Sequence, residues 1–90
     1  PMAAQAKRVN GYVSQTVRRA NQLFMQGYYE KAEETFNLAL TRNPGDVEAR
    51  SGLALVQAEL YKLGASEKNA QQVLQKDPDN VQAHLALGLS

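Results

Sequence analysis

The chain contains no cysteine, which excludes a disulfide framework and any thiolate metal site and leaves the redox compartment undetermined. His84 is its single histidine. One imidazole on a helical stretch, with no cysteine or second histidine to join it, does not supply the arrangement that metal binding or base catalysis requires. No apolar run approaches the ~18 residues of a membrane span, and no segment combines a charged start, an apolar middle and a small-residue cleavage site. The expectation is a soluble chain without membrane insertion, with the cytoplasm as default compartment. Gly27, Gly45, Gly64 and Gly88 match no phosphate-binding pattern and are assigned to turns or close packing. Glu30, Glu33 and Glu34 cluster in sequence, but helical spacing puts them mainly on a solvated face near a helix start, where negative charge is favourable. No catalytic, metal or cofactor-binding constellation emerges, so neither an enzyme nor a cofactor is expected.

What is present suits one domain. Ninety residues, 43% of them hydrophobic, form a core that is real but thin, burying roughly two thirds of the unfolded surface. Pro1-Met2 reads as a tag-cleavage remnant followed by a start or inserted methionine, from which the expectation is one piece of a longer protein. The net charge of +1 hides an asymmetry. Residues 1–29 carry Lys7, Arg8, Arg18 and Arg19 and no acid, whereas residues 30–90 carry six bases against nine acids.

Val9, Val13, Val17, Ala20 and Phe24 recur every three to four residues and predict a helix ending near Gln26. It either runs through Asn10-Gly11 or begins near Gly11 under an Asn10 cap, with Ala3–Val9 as a separate tail. Gly27 ends it, because a residue without Cβ takes the left-handed conformation at little cost. Tyr28 and Tyr29 open a second helix whose inner face is Ala32, Phe36, Ala39 and Leu40. Asn43-Pro44-Gly45-Asp46 closes that helix, and Asp46 caps the next. Val47–Lys62 is apolar over much of its surface, so it requires neighbours on more than one side. Leu63-Gly64-Ala65 reads as a break, with Ser66 capping a shorter helix over Glu67–Lys76 whose inner face is Ala70, Val73 and Leu74. Asp77-Pro78-Asp79-Asn80 repeats the earlier turn, and Val81–Leu89 begins one more helix.

The two turns place Pro44 and Pro78 34 residues apart, and a fixed period of this size indicates stacked helical hairpins. With Ala20, Leu23, Gly27, Tyr29, Ala32, Phe36, Ala39 and Pro44 at signature places, the chain resembles the tetratricopeptide repeat family. The resemblance is close over residues 13–46. Over residues 47–80 it is degenerate: Leu53, Ala54, Leu63, Val73, Leu74 and Pro78 agree, but Tyr61 stands at the expected turn glycine and Ser66 at the expected alanine. The delayed Gly64 suggests a lengthened first helix and a shortened second. Residues 81–90 match part of a further first helix or a capping helix, and residues 1–12 form an N-terminal extension or helix start. Thr16, Arg50 and His84 replace the usual bulky aromatic, and Arg19 takes a usually apolar place, so looser or wetter packing is expected there. The resemblance implies an all-α, right-handed array of helix-turn-helix units with about five helices.

It also implies a protein–protein interaction module, a scaffold or adaptor, whose first helices line a concave groove. Carried over by place, the groove contains Val17, Asn21, Phe24, Met25, Ser51, Leu55, Ala58 and Leu85, with Ser14, Glu48, Glu59, Gln82 and Leu89 beside them. The subgroup that clamps a chaperone's C-terminal carboxylate needs lysine, asparagine and arginine at set groove places. Asn21 matches, but Val17, Gly52, Gln82 and Ala86 hold the others, which rejects that ligand. The expected partner is an extended apolar peptide or the apolar face of a helix. In the alternative, Val17, Phe24, Leu55 and Leu85 simply pack against each other. Two other functions stay open: self-association through the repeat ends, where Leu85, Leu87 and Leu89 lack a covering helix, and nucleic-acid binding through the basic first helix.

Overall fold

The computed structural model describes residues 14–89. Five helices occupy them: α1 Gln15–Met25, α2 Tyr29–Arg42, α3 Val47–Glu59, α4 Leu63–Lys76 and α5 Val81–Leu89. Each packs on the next, α3 also packs broadly on α5, and α1 meets α3 along a narrower seam. The all-α array of five helices expected from the period is therefore present. The proposed extension over residues 1–12, which includes Val9, lies outside the described residues, as does Val13. Helix α1 starts later than Gly11, because the Ser14 hydroxyl caps it by accepting the Val17 N–H at 3.1 Å.

Helix α3 is the centre of the packing. Every residue from Ser51 to Ala58 is buried, as its nearly all-round apolar surface required. It starts where Asp46 Oδ1 accepts the Ala49 N–H at 3.0 Å, and α5 starts the same way, Asn80 Oδ1 accepting from Ala83 at 2.9 Å. These caps satisfy backbone donors that a helix start leaves free.

The helix lengths correct one expectation. Helices α2 and α4 each have 14 residues, so the second helix of the second hairpin is not shortened. Helix α3 has 13 residues against 11 in α1, but the two end at equivalent places, Met25 and Glu59, so no extension toward Gly64 occurs. The turn falls at Leu60-Tyr61, not at Leu63-Gly64-Ala65. Tyr61 itself adopts φ +61°, where the first turn uses Gly27 at φ +89°. The hydrogen bonds correspond at 34 residues: Tyr28 N–H donates to the Leu23 carbonyl at 2.9 Å, and Lys62 N–H to the Gln57 carbonyl at 2.8 Å. The closing bond fixes the turn whichever residue sits in it, and the exposed Tyr61 bears the steric cost of a left-handed conformation. Gly64 lies within α4 with open space around it. Ser66 is likewise no cap. It is fully buried, and its hydroxyl donates to the Ala54 carbonyl of α3 at 2.7 Å.

Two apolar clusters share α3. Val17, Ala20, Ala32, Phe36, Ala39, Leu40, Ala49, Leu53 and Val56 form one. Ala54, Leu55, Ala58, Ala70, Val73, Ala83 and Ala86 form the other, and Phe24 packs against both. Phe36 lies so tightly over Gly52 that a Cβ there would sit 2.4 Å from its ring. Between α2, α3 and α4 runs a polar chain: Lys62 Nζ to Glu33 at 2.7 Å, Gln57 to Glu33 at 3.4 Å, Asn69 to Gln57 at 2.8 Å, and Arg50 to Asn69 at 2.9 Å. Glu33, expected on the solvated face, is thus drawn inward. The polar replacements for the bulky aromatic also find partners. Arg50 donates to the Pro44 carbonyl at 3.2 Å, His84 Nε2 lies 2.7 Å from the equivalent Pro78 carbonyl, and Arg42 donates to Thr16 Oγ1 at 3.2 Å.

Candidate partner-binding groove

The first helices of successive hairpins, α1 and α3, and the following α5 present their C-terminal halves around one open depression of about 540 Å3. Its walls are Phe24, Leu55, Glu59, His84, Leu85 and Gly88. Phe24 is held from behind by Tyr29, the ring centroids 5.4 Å apart and tilted by 45°. Leu55 is 9% exposed and 4%-exposed Ala58 lies beneath it in the same cluster, whereas Leu85 is 53% exposed. The surface is thus a largely apolar floor with one protruding leucine.

The groove residues expected from the sequence divide three ways. Phe24, Leu55 and Leu85 are brought together at the depression. Val17, Ser51 and Ala58 are buried, so their side chains offer no surface to a partner. Ser51 Oγ donates to Gln82 Oε1 at 2.7 Å, tying α3 to α5. Asn21 is partly buried and Met25 is 85% exposed, and neither lines the depression. Leu89 stands in α5, its side chain outside the described residues. Leu87, expected to lie uncovered, instead packs against the second cluster.

The framework residues occupy structural places. Ala20, Ala32, Phe36, Ala39, Leu53 and Ala54 are buried, Gly27 makes the first turn, and Pro44 and Pro78 stand exposed in the two loops. Family comparison agrees with this arrangement: the tetratricopeptide repeat model matches residues 13–58, just over half of the chain. This chain belongs to the tetratricopeptide repeat family. No curated protein and no solved structure matches it. Tetratricopeptide repeats generally serve protein–protein interaction and are typically non-catalytic. The match ends at Ala58, two residues before the turn in which tyrosine replaces glycine.

Two other depressions are polar. One, of about 750 Å3, lies between the two loops and the starts of α3 and α5, with Asp46, Glu48, Asp77 and Gln82 among its walls. The other, of about 540 Å3, includes Arg18, Arg19 and Leu38 at the outer side of the first repeat hairpin. Among the described residues no group of three or more His, Cys, Asp or Glu could hold a metal ion, and no helix is long and apolar enough to cross a membrane.

His84 and Gly88 were not expected at the groove. Their spacing carries a signal: they lie four residues apart on α5 with Leu85 between them, so they share its face. The tetratricopeptide pattern hides it, because it marks His84 as a degenerate packing place and Gly88 as a packing glycine.

Proposed function

We propose that this tetratricopeptide repeat chain is a non-catalytic scaffold or adaptor that holds an apolar peptide, or the apolar face of a helix, against α1, α3 and α5. The observation that carries this reading is the convergence of Phe24, Leu55 and Leu85 on one open depression. Covering that surface removes apolar area from water at roughly 25 cal/mol per Å2. The proposed units are residues 13–46 and 47–80, with 81–90 as part of a third repeat's first helix or a capping helix. The paired caps, turn bonds and proline-carbonyl contacts at a 34-residue spacing support that division.

The variant that tests the groove is Leu85→Glu. Phe24 and Leu55 also belong to the core packing, so glutamate there would bury an unpaired charge and confound folding with binding. Leu85→Glu should leave helicity and melting temperature unchanged while partners captured by the native chain are lost, read by quantitative mass spectrometry. Undiminished capture by the folded variant rejects the groove.

A second reading, self-association, is favoured by the α5 surface. Val81 is 69% exposed there, whereas its equivalent Val47 on α3 is partly covered. The outer side of α1 instead exposes Gln15, Arg18, Arg19 and Gln22, which disfavours docking of apolar α5 onto α1 of another copy. Light scattering over a concentration series decides it: a mass that stays at one chain removes this reading.

A further inference from the structure

The apolar groove contains one carboxylate, Glu59, and one imidazole, His84, whose Nε2 lies 2.7 Å from the Pro78 carbonyl. Glu59 is partly buried, lines the depression, and makes no side-chain hydrogen bond or ion pair among the described residues. It is also the last residue of α3. A helix C-terminus carries partial negative charge and favours cations, so a carboxylate there has the unfavourable sign. Glu33 provides the internal contrast, since Lys62 and Gln57 both satisfy it.

The helix ends add a separate observation. Helices α2 and α4 carry Arg42 and Lys76 in their last turns, which complements their dipoles. Neither α1 nor α3 has a basic residue in its last turn. Their last turns carry the groove walls Phe24 and Glu59. The floor is therefore apolar, and Glu59 together with two helix ends that lack a basic side chain puts negative charge at its rim.

We propose that the occupant of the groove is an apolar protein segment carrying a lysine or arginine, whose cation is received by Glu59. This rests on the groove reading above and adds a charge requirement to it. Acidic segments of equal apolarity are rejected by the same carboxylate, so Glu59 sets specificity while Phe24, Leu55 and Leu85 supply burial.

The probe is a set of acetylated, amidated peptides of Leu, Ala and Phe in which one position at a time is Lys, Gln or Glu. Binding to the full chain is followed by fluorescence anisotropy. At the matching position the Lys peptide should bind about five- to tenfold tighter than its Gln counterpart, as expected for a partly desolvated ion pair, and the Glu peptide more weakly than either. That preference should shrink as salt is raised and vanish in Glu59→Gln, which keeps the shape and removes the charge. Equal binding of Lys and Gln peptides, or a preference that survives in Glu59→Gln, overturns the cation requirement while the groove stands. Binding that the neutral Leu85→Asn does not weaken, or no binding by any peptide, overturns the groove and this proposal with it.

Discussion

The α2–α3 and α4–α5 layers occupy equivalent places in the 34-residue period, yet they are filled differently. In the first, Phe36 covers Gly52 so closely that no Cβ fits beneath it. In the second, Ala70 and Ala86 take those two places, both fully buried, and Val73 replaces the smaller Ala39 nearby. One layer pairs a large side chain with none, and the other pairs two small ones beside an enlarged neighbour. The repeat therefore preserves combined volume at a contact rather than residue identity, as close packing requires. The turns differ in the same spirit. Gly27 and Tyr61 both take the left-handed conformation, one freely and one at a steric cost.

Removing the Phe36 ring should break the comparison most severely. Phe36→Ala is expected to cost about 3–5 kcal/mol in urea unfolding, because a fully buried ring leaves a cavity. Gly52→Ala alone should cost about 1–3 kcal/mol through overpacking. The double variant copies the Ala–Ala pair of the second layer. Its loss should fall below the sum of the single losses by ~0.5–3 kcal/mol, since the two sites touch. Strict additivity would show that they do not compensate each other.

The turns should respond in opposite directions. Gly27→Ala should destabilise by about 1–2 kcal/mol, whereas Tyr61→Gly should stabilise by about 0.5–1 kcal/mol after the added freedom of the unfolded glycine is counted. Tyr61 is 86% exposed, so little packing is lost with its ring. A lower melting temperature for Tyr61→Gly would contradict the strain assigned to that turn. The smallest effect concerns the caps. Asp46→Ala and Asn80→Ala should each cost about 1 kcal/mol, and the similarity of the two losses in thermal melts is the test.

The period and the inner faces of α2 and α4 were readable in the sequence because Ala32, Phe36, Ala39, Ala70 and Val73 follow helical spacing and proline marks both loops. The second turn was not. Glycine is the usual sign of a left-handed residue, and Gly64 drew the expected break three residues past the tyrosine that makes it. Ser66 was equally misleading, since a serine before Glu67 looks like a cap until α3 supplies a carbonyl for its hydroxyl. At the groove, periodicity put Val17 and Phe24 on one face, but it does not tell the part of that face covered by α2 and α3 from the part left open. Only packing separates buried Val17 from the wall-forming Phe24. The core arrangement thus follows from local pattern, while the usable surface depends on how α3 and α5 sit together.

Amide chemical-shift mapping of the labelled chain, titrated with the tightest-binding Lys peptide, tests the functional account most directly. Shifts should concentrate at Phe24, Leu55, Glu59, Leu85 and Gly88 and disappear in the neutral variant Leu85→Asn, with the framework signals around Phe36 and Gly52 unmoved. Shifts centred on Asp46, Glu48 and Gln82, or on Arg18 and Arg19, would place the binding surface in a polar depression and contradict it.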